Sequence, residues 1–128
     1  MNWASLGSIK LLVVEDDMFN RQLIISLLNK IQTIEVVEAE NGEDALKVLM
    51  QEQIDVMLLD LHMPKMDGFE TLSSIRAKEK TKDLPVIVIT SDEVEKRKCY
   101  ALGANNFVPK PFRLKALEET IFNQLKVA

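Results

Sequence analysis

Chemistry-bearing side chains in this chain stand directly after short apolar runs. Glu15, Asp16 and Asp17 follow Ile9–Val14, Asp60 closes Ile54–Leu59, Thr90 closes Val86–Ile89, and Lys110 follows Asn106–Pro109. If those runs are parallel strands, their carboxyl ends share one edge, and open α/β sheets bind ligands at that edge. Three or more carboxylates, a hydroxyl and an ammonium then meet there. Crowded carboxylates repel unless protons or a cation intervene; each pair at ~4 Å costs about 4 kcal/mol at an effective dielectric of ~20. An all-oxygen acidic site suits a hard cation, Mg²⁺ first and Mn²⁺ as the alternative. With one histidine and one cysteine in the whole chain, a structural zinc site is excluded. Once a cation sits among the acids, the edge attracts a phosphoryl group, whose oxygens Lys110 and Thr90 can neutralise and hydrogen-bond.

The elements that must position these groups are legible as two alternating periods. Ile9–Val14, Ile54–Leu59 and Val86–Ile89 are nearly all apolar, as strands buried on both faces of a parallel sheet are. Ile34–Val37 and Asn106–Pro109 are weaker and read as edge strands; Pro109 cannot donate to a ladder and fits an edge. Between them lie helical stripes: Phe19, Leu23, Ile24, Leu27, Leu28 and Ile31, then Ala45, Val48 and Leu49, then Phe69, Leu72 and Ile75, and finally Leu114, Leu117, Ile121 and Leu125. Asp92–Leu102 reads as a weakly amphipathic helix whose charged run, Glu93–Lys98, is expected to be solvated. Turn signals at Asn41-Gly42, Pro64 with Asp67-Gly68, Asp83 with Pro85, and Gly103 separate the elements. Five strands alternating with five helices give an α/β layer fold. Residues 1–8, with Trp3, are expected to form an arm outside the core, and residues 9–128 one domain.

Composition narrows the function classes. The chain has 128 residues, enough for one core. Sixteen Lys and Arg against 20 Asp and Glu give a net charge of −4, which argues against direct nucleic-acid binding or an anionic membrane surface. Cys99 is the single cysteine, so no internal disulfide forms and a reducing, cytoplasmic location is expected. No apolar run is long enough for a membrane span and no secretory signal is visible.

Taken together, Leu12-Val13-Val14-Glu15-Asp16-Asp17, Leu58-Leu59-Asp60-Leu61-His62-Met63-Pro64 with Asp67-Gly68, Val88-Ile89-Thr90-Ser91, Gly103-Ala104 and Lys110-Pro111-Phe112 resemble a response-regulator receiver domain of two-component phosphorelay signalling. The resemblance runs from about Ile9 to Leu125. It implies a flavodoxin-like (βα)5 doubly wound parallel sheet in the order 2-1-3-4-5. It also implies roles. Asp60 would accept the phosphoryl group as an acyl phosphate. Asp16 and Asp60 would ligate the metal, Glu15 would act through water, and the His62 carbonyl would complete the protein's share. Thr90 and Lys110 would bind the phosphoryl oxygens, and Phe107 would turn inward as Thr90 moves. The Lys110-Pro111 bond would be cis. A histidine kinase or phosphotransfer protein would be the donor, and an effector or output domain the recipient of the signal, with a phosphorylation-dependent dimer as one form of output. The domain would catalyse only its own phosphorylation and slow dephosphorylation. His62 and Asp92, at the rim, would tune that lifetime.

Other assignments of the same residues fare less well. An aspartyl phosphatase wants a second acid two residues after its nucleophile, where His62 stands. A flavin carrier wants a hydroxyl- and glycine-rich phosphate loop after the first strand, where Glu15-Asp16-Asp17 would repel the phosphate. Four scattered glycines make neither a dinucleotide fingerprint nor a P-loop. A receiver-like module that no longer reacts would not need the complete acid set with Thr90 and Lys110. Asp17 is read as the cap of the first helix, Ser91 as a small residue leaving the pocket open, and Cys99 as inert. The sequence ends soon after the last stripe, so no output domain is expected within it.

Overall fold

In the computed structural model, which describes residues 1–63 and 66–126, each apolar run becomes a strand: β1 (Ile9–Val14), β2 (Ile34–Ala39), β3 (Val56–Asp60), β4 (Val86–Thr90) and β5 (Asn106–Pro109). The turn expected at Pro64 lies outside the described residues. The strands form one parallel sheet in the order β2-β1-β3-β4-β5, the order that the resemblance implied. Helices α1 (Met18–Leu28), α2 (Gly42–Gln51), α3 (Gly68–Ala77) and α4 (Lys96–Ala101) fill the connections, and α5 (Leu114–Lys126) follows β5.

Successive strand residues face opposite sides, so the sheet divides the core in two. Leu12, Val14, Met57, Leu59, Val86 and Val88 pack against Ala45, Leu49, Leu72, Ile75 and Cys99. Leu11, Val13, Val56, Leu58, Ile87 and Ile89 pack against Ile24, Leu28, Leu117 and Ile121 on the other side. This double burial is why β3 and β4 read as unbroken apolar runs. Burying each such side chain contributes roughly 1.5–3 kcal/mol.

Several boundaries differ from the sequence reading. β3 begins at Val56 because Asp55 is a turn residue whose carboxylate accepts the Lys10 N–H at 2.7 Å. β2 continues to Ala39, which pairs with Val14. Asp92 caps a 3₁₀ turn over Glu93–Glu95 by accepting the Val94 N–H at 2.9 Å, so the α-helix starts only at Lys96. The α1 stripe is also rotated: Arg21, Ile24 and Leu28 are buried, whereas Phe19 is 79% exposed and Leu23 is 48% exposed. The N-terminal segment lies against α5. Trp3 begins a 3₁₀ turn through Leu6, stacks edge-on against Phe122 at 5.1 Å and donates its indole N–H to Glu118 at 3.1 Å.

Candidate functional site at the carboxyl edge of the sheet

Strand register delivers the expected residues to one place. Asp60 ends β3 beside Ile89, and Thr90 ends β4 beside Pro109. Glu15 follows β1, its N–H donating to the Ala39 carbonyl at 3.2 Å, and the Lys110 N–H donates to the Thr90 carbonyl at 2.8 Å. The Lys110-Pro111 peptide is cis, as expected. Gly68 lets α3 begin against the end of β3: a Cβ there would meet the backbone of Leu61 at 2.5 Å, and its N–H donates to the Leu61 carbonyl.

Glu15 and Asp60 are buried, at 2% and 5% exposure, while Asp16 is exposed. One carboxylate oxygen from each of the three lies within 4.8 Å of the others. Lys110 Nζ stands 3.2 Å from Glu15 Oε1 and 3.2 Å from Asp60 Oδ1. The electrostatics follow from this crowding. Burial, and then the neighbouring Asp60, push the Glu15 carboxyl above its ordinary value against the pull of Lys110. Burial and Glu15 raise Asp16 in the same way. Burial alone would lower Lys110, but Asp60 and Glu15 together raise it. Three carboxylates thus face one ammonium. The two uncompensated charges and the all-oxygen donor set fit a hard divalent cation.

Asp17 caps α1, its carboxylate accepting the Asn20 N–H at 2.9 Å, as the sequence indicated. His62 is exposed, also as expected, but its Nε2 is fixed 2.8 Å from Glu95 Oε1. The buried Thr90 hydroxyl is 3.3 Å from the same Glu95 oxygen. Phe107 is half-buried, with Lys96 Nζ 5.7 Å from its ring centre. Ser91 and Asp92 are exposed at the rim.

Two contributors escaped the sequence reading. Arg21 is buried, donating to the Glu15 carbonyl at 2.9 Å and to Glu38 at 2.9 Å, and so braces the acidic loop from α1. Its position three residues before Ile24, on the helix's inward face, was the available signal. Glu95, inside the run expected to be solvated, turns back to the site; its side chain is only 18% exposed.

Comparisons with known proteins decide the family. The sequence model of the response regulator receiver domain matches residues 11–122. This chain belongs to the response-regulator receiver domains. A chemotaxis protein CheY homolog of Campylobacter jejuni is 36% identical over 115 residues, covering 88% of each chain. A protein-glutamate methylesterase/protein-glutamine glutaminase of Clostridium acetobutylicum is 37% identical, with 96% of this chain covered but only 37% of that enzyme. The solved chemotaxis response regulator CheY4 of Vibrio cholerae superposes with a TM-score of 0.84 at 29% identity, covering 91% of this chain and 98% of that one. The receiver is thus a regulatory phosphoacceptor module of two-component signalling, of the CheY-like kind. Receiver domains as a class bind Mg²⁺ at an acidic pocket, and this receiver carries such a cluster in Glu15, Asp16 and Asp60. Among the described residues, no helix is long and apolar enough to cross a membrane.

Proposed function

We propose that Asp60 is the phosphoacceptor of a cation-dependent signalling switch. The observation that carries this reading is a buried strand-end carboxylate held by Lys110 at 3.2 Å beside two further acids. An Asp60 oxygen attacks phosphorus on a phosphohistidine donor, the P–N bond breaks, and the imidazole leaves with its electron pair. Asp60 retains the group as an acyl phosphate. Asp16, Asp60, the His62 carbonyl and, through water, Glu15 would hold Mg²⁺ or Mn²⁺. When bound, the cation neutralises charge developing on the transferred group. Lys110 pairs with one phosphoryl oxygen. Thr90 moves to donate to another, and Phe107 follows it inward. The face built from 92–102, β5 and α5 changes as a result.

The donor is a histidine kinase or phosphotransfer protein, and the changed face meets an effector, an output domain or a second receiver. A cytoplasmic setting agrees with the single buried thiol of Cys99, which burial holds above its ordinary pKa. Slow hydrolysis of the acyl phosphate resets the switch.

Incubation with acetyl phosphate and Mg²⁺ should add one phosphoryl group by mass. The Asp60→Asn variant should add none, and chelation should slow labelling by orders of magnitude. Equal labelling of the Asn variant would overturn the assignment.

A further inference from the structure

The Thr90 hydroxyl has one hydrogen to donate, and here it goes to Glu95. Thr90 Oγ1 and Glu95 Oε1 are 3.3 Å apart, while the Asp92 N–H donates to Thr90 Oγ1 at 3.2 Å. The same Glu95 oxygen accepts from His62 Nε2 at 2.8 Å. One carboxylate oxygen therefore ties the loop after β3 to the hydroxyl that ends β4. The fold makes this contact locally. Asp92 caps the 3₁₀ turn, which leaves Glu93 and Val94 exposed and swings Glu95 back over the sheet edge. The next residue, Lys96, lies within cation–π range of the Phe107 ring. Two adjacent residues thus hold both side chains to which the proposed function assigns the switch.

We infer that Glu95 is a positioning residue that latches Thr90 in its unphosphorylated conformation, and thereby sets how readily phosphorylation throws the switch. The inference rests on the reading of Asp60 as acceptor and Thr90 as its hydroxyl partner. A single O–H cannot donate fully to Glu95 and to a phosphoryl oxygen at once. Capture of the hydroxyl by the phosphoryl group breaks the Glu95 contact and frees the turn that leads into α4. Charge works in the same direction, because a phosphoryl dianion on Asp60 repels the Glu95 carboxylate. A bound group shifts two states only by its differential interaction with them, so the latch opposes the phosphoryl group directly.

The test is Mg²⁺-dependent binding of beryllofluoride, a phosphoryl mimic, to the full chain, with the Thr90 methyl resonance as a second readout. Glu95→Ala should tighten mimic binding about fivefold, near 1 kcal/mol at about 1.4 kcal/mol per tenfold. It should also move the Thr90 methyl resonance of the free protein toward its mimic-bound position. Glu95→Gln keeps an acceptor for the hydroxyl but loses the charge, so it should fall between parent and Ala. Glu93→Ala, next to the latch but exposed, should change neither readout. In a Thr90→Ala background, Glu95→Ala should keep only the smaller gain that loss of its charge gives, well short of about fivefold. Parent-like affinity in both Glu95 variants would overturn the latch, as would the same gain with Thr90 removed. If Glu95→Ala folds poorly, Glu95→Ser, too short to reach the Thr90 hydroxyl, and its Thr90→Ala double variant decide by the same criteria. A parent that fails to bind the mimic would instead overturn the acceptor reading, and the latch with it.

Discussion

Lys110 Nζ stands 3.2 Å from Asp60 Oδ1 and also 3.2 Å from Glu15 Oε1, so one ammonium joins carboxylates delivered by two other strands. The carboxylates are buried and Lys110 is partly so, which makes the pair dependent on it. Removing one partner of a buried charged contact costs more than the contact contributes, because the other charge stays desolvated. Lys110→Met keeps the apolar stem and removes the charge. Urea unfolding in chelator should show a loss of about 1–3 kcal/mol, and saturating Mg²⁺ should shrink that loss. An unchanged unfolding midpoint would mean that the acids are compensated without Lys110.

The raised Glu15 carboxyl gives a pH dependence with a definite sign. An acid whose pKa rises on folding holds its proton more tightly in the folded state, so stability falls as pH climbs from the unfolded value through the folded one. At neutral pH in chelator, Glu15→Gln should therefore melt higher than the parent. The gap should close toward about pH 4, where the unfolded carboxyl also gains its proton. Saturating Mg²⁺ should reverse the order, because the parent alone keeps the full acid set and ligand binding stabilises by mass action. Melting curves across pH, with and without Mg²⁺, check both statements. A Gln variant that is less stable in chelator at pH 7 would contradict the first.

What the sequence made legible follows from burial and register. Central parallel strands are covered on both faces, so β3 and β4 announce themselves as apolar runs, and the residue ending each run lands at the functional edge. Asp60 and Thr90 were readable for that reason, Lys110 because it follows the weaker edge run Asn106–Pro109, and the family resemblance supplied the strand order that brings them together. Arg21 and Glu95 escaped the same reasoning. Charged residues are assigned outward by default, and Arg21 is inward because the Glu15 carbonyl and Glu38 satisfy its guanidinium. Its burial rotates α1 and leaves Phe19 and Leu23 outside. Glu95 depends on a three-residue 3₁₀ turn, too short to leave any periodicity.

That rotation of α1 has a functional expectation. Met18, Phe19 and Leu23 are exposed at 68%, 79% and 48%, on the helix that begins directly after the acidic loop. Leu23 also lines a groove with Pro111, Phe112 and Leu114 that reaches Glu15 and Lys110. Apolar residues beside the pocket mouth suit contact with a protein donor, whereas a small phosphodonor needs only the pocket. Phe19→Ala should slow phosphotransfer from a histidine kinase or phosphotransfer protein about tenfold, roughly 1.4 kcal/mol of lost contact. Labelling by acetyl phosphate should stay within about twofold of the parent. Equal slowing with both donors would place the effect in the pocket and not at the docking surface.

The rim should govern how long the phosphoryl group lasts. His62 lies two residues past Asp60, and its imidazole is exposed but fixed against Glu95. Asp92 lies two past Thr90, and one of its carboxylate oxygens is engaged by the Val94 N–H. Both loops border the approach of the water that must attack phosphorus. A ring at His62 shields that approach, while the cap contact leaves Asp92 less free to orient a water against it. His62→Ala should therefore accelerate decay of the acyl phosphate, and Asp92→Ala should change it less. The double variant should decay about tenfold faster than the parent, a difference of about 1.4 kcal/mol in barrier. Mg²⁺ affinity should remain nearly unchanged, because the expected ligand at His62 is its carbonyl and Asp92 is outside the acid cluster. Phosphate release from the two single variants and the double variant measures all three rates. Decay within about twofold of the parent in every one would place lifetime control elsewhere in the pocket.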